Sequence, residues 1–301
     1  MPSVAGSGHP GPAMKFCFAL SFSDLSQYVP LAVAGDEHGF EAVACSDHLV
    51  NPEVLTSPYP YTEDGSRRWE PFTDWPDCWV AIGAMASATT RLRFFTNVYG
   101  LPLRDPFSVA KAVGTAAVLS GNRVALGAGM GSLEDEFAIV GARWQARGKR
   151  ADEMIDVLRL LWSGGWVEHH GKHYDFPRIE MSPTPTEQPP IYIGGISDVA
   201  LRRAARNDGW ISDLHSTAEL AEHCRKLDIY RAEYGRADTP FTVVGSCNDA
   251  YDYDTYRRLE DVGVTHLLTL PWIFYGGYTD DLQQRLDGIK RFADDIITRF
   301  D

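Results

Sequence analysis

The sequence predicts a closed (β/α)8 barrel, and three observations lead there. Short β-branched or aromatic runs alternate with helix-period stretches eight times, the pattern of βαβ units around a parallel sheet. A chain of 301 residues accommodates one such barrel, whose usual size is roughly 250 residues before insertions. The competing open dinucleotide-binding sheet lacks its fingerprint. In Gly127-Ala128-Gly129-Met130-Gly131-Ser132 the last glycine of G-x-G-x-x-G is replaced by Ser132.

In chain order, the first strand is Phe16-Cys17-Phe18-Ala19-Leu20, and a helix from Asp24 to His38 stops at Gly39, a residue suited to the C′ position. Strand two is Glu41 to Cys45. Strand three runs from Leu92 to Val98, and its helix follows Pro106, favoured in a first turn, through Leu119. Strand four is Arg123 to Leu126. Beyond it Met154, Ile155, Leu158, Leu161 and Trp162 recur at i, i+1, i+4, i+7 and i+8, giving one apolar face to pack on the barrel. Strands five to eight are Pro190 to Ile193, Gly209 to Ser212, Phe241 to Gly245 and His266 to Leu270. The last helix carries Leu282, Leu286, Ile289, Phe292, Ile296 and Phe300 every three or four residues, with Thr279 as its expected N-cap.

Two segments exceed an ordinary βα loop. Residues 49–79 carry Tyr59, Tyr61, Trp69, Phe72, Trp75 and Trp79, whose aromatic content argues for order. Residues 163–189 are expected to hold a hairpin about Gly171 and the proline-rich Ser182-Pro183-Thr184-Pro185-Thr186; loops of this length are commonly lids or binding loops.

Composition restricts the partners. The chain has 28 Lys plus Arg against 41 Asp plus Glu, and its formal charge of −13 argues against nucleic-acid binding. Five scattered cysteines without a C-x-x-C pair fit reduced thiols. No apolar run approaches a membrane span, and residues 1–12 have neither a basic n-region nor an apolar h-region. A disordered arm over 1–13, a single barrel domain over 14–301 and a cytoplasmic location are therefore expected.

At Ala44-Cys45-Ser46-Asp47-His48-Leu49 the reading becomes more specific. An Asp-His pair at the end of a second barrel strand resembles the luciferase-like monooxygenase superfamily, in the branch that uses the deazaflavin coenzyme F420. The resemblance continues through Arg91-Leu92-Arg93, Leu101-Pro102-Leu103-Arg104-Asp105-Pro106 and Asn122-Arg123-Val124-Ala125-Leu126-Gly127-Ala128-Gly129. It extends to Arg150-Ala151-Asp152-Glu153-Met154, Pro190-Ile191-Tyr192-Ile193-Gly194-Gly195 and Asn207-Asp208-Gly209-Trp210, in one order along nearly the whole chain.

The residues themselves leave His48 two readings, a structural group satisfied by its own loop or a proton-handling group at the catalytic end of a strand. The resemblance assigns the second, with Asp47 able to fix the imidazole's tautomer. It also implies a cis Asn97-Val98 bond after Thr96, forming a bulge behind the coenzyme ring. The glycine-rich segments Gly129-Met130-Gly131 and Gly194-Gly195-Ile196-Ser197, each before a helix, look like contacts for the coenzyme's side chain and phosphate. Tyr61, Trp69 and Trp75 in the long loop, with His215 after strand six, are expected to line a substrate pocket. His169, His170, His173 and Asp175 read as a solvated hairpin with no metal. Where related sugar-phosphate dehydrogenases carry an acid after the strand-four glycines, this chain has Ser132, with Glu134 two residues on.

The expected function is thus an F420-dependent oxidoreductase acting, as a homodimer, on a small organic molecule. Two alternatives stand beside it: an FMN-dependent monooxygenase, because reduced FMN activates oxygen where F420 carries hydride, and a flavin-binding barrel without turnover.

Overall fold

The structure is a computed structural model and describes residues 13–300; the expected N-terminal arm lies almost wholly outside them. Eight parallel strands form the barrel: β1 (Lys15–Ala19), β2 (Ala42–Cys45), β3 (Arg93–Thr96), β4 (Val124–Gly129), β5 (Ile191–Gly194), β6 (Gly209–His215), β7 (Thr242–Cys247) and β8 (His266–Thr269). β1 pairs with both β2 and β8, and the sheet closes where Phe94 and Phe95 of β3 pair with Val124 and Ala125 of β4. The predicted fold class holds.

Strand alternation separates two cores. Cys17, Ala19, Ala42, Ala44, Phe95, Ala125, Ile211, Val244 and Leu268 fill the lumen. Phe16, Phe18, Val43, Phe94 and Leu126 face outward into the larger core under the helices. These are α1 (Tyr28–Glu37), α2 (Cys78–Ser87), α3 (Pro106–Ser120), α4 (Glu134–Ile139), α5 (Arg147–Trp162), α6 (Asp198–Ala205), α7 (Thr217–Glu233), α8 (Tyr253–Asp261), α9 (Ile273–Gly276) and α10 (Leu282–Asp295). Asp77, Asp105, Ser197, Ser216, Asp252 and Asp281 accept first-turn N–H bonds as N-caps. The last helix is therefore capped by Asp281, not Thr279, whose hydroxyl instead accepts from Asp281 N at 3.1 Å.

Two strands run on past their expected ends, and one long segment lies away from the mouth. β4 continues through Gly127 and Gly129 because these glycines answer to a close neighbour: a Cβ at 127 would lie 1.8 Å from the Thr96 carbonyl oxygen. β6 runs on to His215. The segment 163–189 is no lid: its hairpin (166–170 and 175–180) packs outside the barrel. Glu153, near the middle of α5, accepts from His173 N (2.9 Å) and Tyr174 N (2.8 Å), and Phe176 meets Phe107 of α3 edge-on at 5.2 Å. On that hairpin His170 and Asp175 pair across the strands at 2.6 Å.

A cavity of about 240 Å³ opens at the opposite end of the barrel, lined by Lys15, Glu41, Arg93, Tyr192, Thr242 and His266. That is the N-terminal strand face, whose residues serve stability in such folds. Burial pushes the His266 imidazole down to about 4. The unfolded chain then binds a proton that the folded one refuses, so stability should fall as pH drops from about 6.5 towards 4. Urea midpoints across that window, shallower in pH for His266→Gln than for wild type, would show it.

Among the described residues no helix is long and apolar enough to cross a membrane.

Candidate active site

Because all eight strands are parallel, the ends of β2, β3, β4, β5 and β6 share one rim. Asp47, His48, Asn97, Gly194 and His215 therefore sit at the same mouth. Its floor is a bulge between β3 and the short strand Tyr99–Gly100, with Asn97–Val98 in the cis form as expected. Asn97 N donates to Cys45 O at 2.7 Å, tying the bulge to β2. Val98 is half-buried and packs on the lumen core. It is also why two glycines are required: a Cβ at Gly129 would lie 2.5 Å from Val98 Cγ2, and one at Gly194 2.8 Å from Val98 Cγ1. Thr96 is fully buried and its hydroxyl donates to Gly127 O at 2.8 Å, so it supports the bulge from beneath instead of touching a ligand.

The Asp-His pair does not work as expected. Asp47 turns away from His48 and forms a two-pronged pair with Arg104, Oδ1 to Nη2 at 2.7 Å and Oδ2 to Nη1 at 2.8 Å. Gly100 N also donates to its Oδ2 at 2.8 Å, and the guanidinium lies 3.9 Å from the centre of the Tyr99 ring. Adjacent side chains of an extended segment point to opposite sides, so sequence neighbours need not touch. This pairing also withdraws Arg104 from any role towards an anionic ligand.

His48 is held by a residue the sequence did not single out. Nδ1 lies 3.4 Å from Oε2 of Glu136, a carboxylate only 3% exposed on α4. The other oxygen of Glu136 accepts from Leu49 N (2.6 Å) and Val50 N (3.4 Å), fixing the turn that follows the histidine. Neither Ser132 nor Glu134 occupies this place; Glu134 is exposed at the first turn of α4. Helical spacing offered a signal, since Glu136 falls three residues after buried Leu133 and beside buried Phe137, on the inward stripe.

Over the histidine lie the aromatics of the 49–77 loop. The His48 ring is 4.4 Å from Trp69 and 4.9 Å from Trp75, and Trp69 meets Trp75 at 5.4 Å and Tyr59 at 5.3 Å. Tyr61 packs against Tyr59 and Phe22 against Trp75. The loop is fastened at two points. Asp135 of α4 accepts from the backbone and hydroxyls of Thr56 and Ser57, bonds that hold its carboxyl far below the usual range. Arg68 pairs doubly with Asp213 of β6 at 2.9 and 3.0 Å. His215 does not join the cluster: its ring packs on His223 at 5.1 Å, with Nδ1 3.9 Å from Glu219.

The glycine-rich segments divide. Gly131 has φ +80° and faces the Phe137 ring, and half-buried Met130 packs on the outer core, so both shape the β4–α4 turn. Gly195 (φ +110°), exposed Ile196 and the N-cap Ser197 form a short loop into the start of α6, where Ser197 Oγ accepts from Ala200 N at 3.3 Å. Trp210 Nε1 anchors it by donating to Gly195 O at 2.8 Å.

A parallel barrel with a half-buried, carboxylate-braced histidine over a bulged strand end defines a barrel enzyme with its chemistry at the C-terminal rim. Comparison with known proteins gives the class its name: the chain belongs to the luciferase-like monooxygenase family, whose sequence model matches residues 4–287, and it is an oxidoreductase. An uncharacterized protein of Mycobacterium tuberculosis is 37% identical over 289 residues, 95% of this chain and 100% of that one. The F420-dependent glucose-6-phosphate dehydrogenase of Nakamurella multipartita is 30% identical over 295 residues, 95% of this chain and 80% of the relative. In structure the chain resembles the coenzyme F420-dependent tetrahydromethanopterin reductase of Methanopyrus kandleri, with a TM-score of 0.75, 14% identity and coverage of 97% and 100%, a likeness of fold.

Proposed function

We propose that the chain is an F420-dependent oxidoreductase that exchanges hydride with a small organic substrate at the β2–β5 side of the mouth. The observation that carries this reading is Val98, held by Gly129 and Gly194 as an apolar floor beside His48. A floor of that kind suits one face of a planar tricyclic ring, and the named coenzyme of the Nakamurella relative favours deazaflavin over FMN. When bound, the deazaflavin supplies the hydride-carrying centre. Asn97 and Val98 back its ring. Gly194, Gly195, Ile196 and Ser197, with the N-terminus of α6, present backbone N–H groups and a positive dipole end to its phosphate. Gly129, Met130 and Gly131 offer backbone contacts to the chain between ring and phosphate. His48 holds or moves the substrate proton at Nε2, since Nδ1 faces Glu136.

Titrating the purified protein with F420 and with FMN tests the reading: F420 should bind the tighter, and preference for FMN would reverse the assignment. For the phosphate site Gly195 is a poor probe, because its positive φ strains any side chain. Ile196→Asp sets a carboxylate on an exposed position of the same loop and should weaken F420 by about tenfold or more. Unchanged affinity would displace the phosphate from this loop.

Affinity for F420 with a long polyglutamate tail should also fall as salt rises, because Arg143, Arg147, Lys149 and Arg150 follow α4 closely in the chain on the β4 side. A salt-independent affinity would remove those four residues from the tail's path. The functional unit we propose is a cytoplasmic homodimer, a state sedimentation velocity would report directly.

A further inference from the structure

The mouth's charges say what kind of substrate it takes, given the coenzyme reading above. Among the described residues, the segments joining each strand end to its next helix contain only three Lys or Arg side chains: Arg67, Arg68 and Arg104. All three are engaged by the protein. Arg104 is locked to Asp47. Arg68 is bound to both oxygens of Asp213 and to Tyr61 O. Arg67 donates to Asn51 Oδ1 at 2.7 Å, Pro52 O at 2.7 Å and Glu53 O at 3.0 Å. The same segments also carry Asp24, Glu53, Glu63, Glu70 and Asp74, so the field over the substrate side opposes an anion. Arg150, after α4, is likewise taken up, donating to Arg143 O at 2.8 Å and Pro102 O at 2.8 Å.

What the mouth offers instead is apolar wall and hydrogen-bond donors. His48, Trp69, Trp75, Tyr59 and Phe22 form one cluster of rings, packed mostly edge to face. Within it the indole N–H groups of Trp69 and Trp75 are buried and have no partner, with Trp69 as a whole 6% exposed. Buried indole N–H groups ordinarily find an acceptor, and indole is a donor only. An accepting oxygen would satisfy both donors, and Arg67, Arg68 and Arg104 are already bound to the protein instead of open to a phosphate.

We propose that the substrate side takes a neutral, mainly apolar ketone or secondary alcohol, its oxygen received by the Trp69 and Trp75 indoles beside His48, and that it rejects phosphorylated sugars. This separates the chain from the substrate named for its Nakamurella relative. The test is direct binding to the full chain, with and without F420, read by saturation-transfer NMR. Cyclohexanone, cyclohexanol, methylcyclohexane and glucose 6-phosphate serve as probes. The ketone and alcohol should bind, and glucose 6-phosphate should be at least about tenfold weaker, as expected for a dianion without a counter-charge.

Trp69→Phe keeps a ring and removes the N–H. It should weaken cyclohexanone about fivefold, the loss of one neutral hydrogen bond, and leave methylcyclohexane unchanged. Trp75→Phe provides the same comparison should Trp69→Phe fail to fold. Glucose 6-phosphate binding as tightly as the ketone, no ketone binding, or equal ketone affinity in the wild type and both variants would each overturn the proposal. Because F420 affinity is measured separately, ketone binding without F420 binding would instead remove the coenzyme reading and leave the pocket assignment standing.

Discussion

His48→Ala is expected to lower turnover by about 10²-fold or more while changing F420 affinity far less, because a general acid–base group acts on the barrier and not on coenzyme binding. The rate of F420H2 oxidation by a panel of cyclic ketones, enones and quinones provides the measurement. Glu136→Gln should produce a smaller loss, since the amide can still meet Nδ1 and accept from Leu49 N but no longer balances a charge forming on the imidazole. The ordering is informative because Glu136 reaches the reaction only through His48: in a His48→Ala background, Glu136→Gln should cost little more. Full rates for His48→Ala towards every acceptor the wild type reduces would make His48 a packing residue under Trp69 and Trp75, with the coenzyme assignment untouched.

The barrel was legible because strands buried on both faces read as short apolar runs, and helices such as α5 and α10 carry one apolar stripe each. The rim positions of Asp47, His48, Asn97 and Gly194 followed from that alone, as all lie just past or at strand ends. What escaped the sequence were relations across the barrel. Gly127 and Gly129 look like loop residues until Thr96 O and Val98 are brought against them. Glu134, Asp135 and Glu136 are three acids in a row, yet they have three fates: exposed, clamped to Thr56 and Ser57, and buried against His48. Contacts that span from 78 to 88 residues of chain leave no local signature. The hairpin after α5 was found as a hairpin, but its place on the outer wall depends on Glu153 reaching its tip.

Breaking the Asp47–Arg104 pair should be the most destabilising change at the mouth. Asp47's side chain is 1% and Arg104's 12% exposed, and their double contact leaves little room for water. Removing one partner strands the other's charge, which typically costs about 3–5 kcal/mol, whereas replacing both with uncharged groups is often close to neutral. Asp47→Asn keeps an acceptor for Gly100 N but leaves the guanidinium without its counter-charge over the Tyr99 ring. Arg104→Met fills similar space and strands the carboxylate. Each single variant should lose about 3 kcal/mol in urea unfolding, and the double variant should recover most of that loss, a coupling well above the ~0.5 kcal/mol of independent sites. The pair joins the end of β2 to the residues just after the Asn97–Val98 bulge, so the single variants should also loosen the floor on which Val98 sits and weaken F420 binding in proportion to stability. Additive losses would mean that the two charges are solvated independently, and that the bulge is held by the Asn97 N to Cys45 O bond without help from the ion pair.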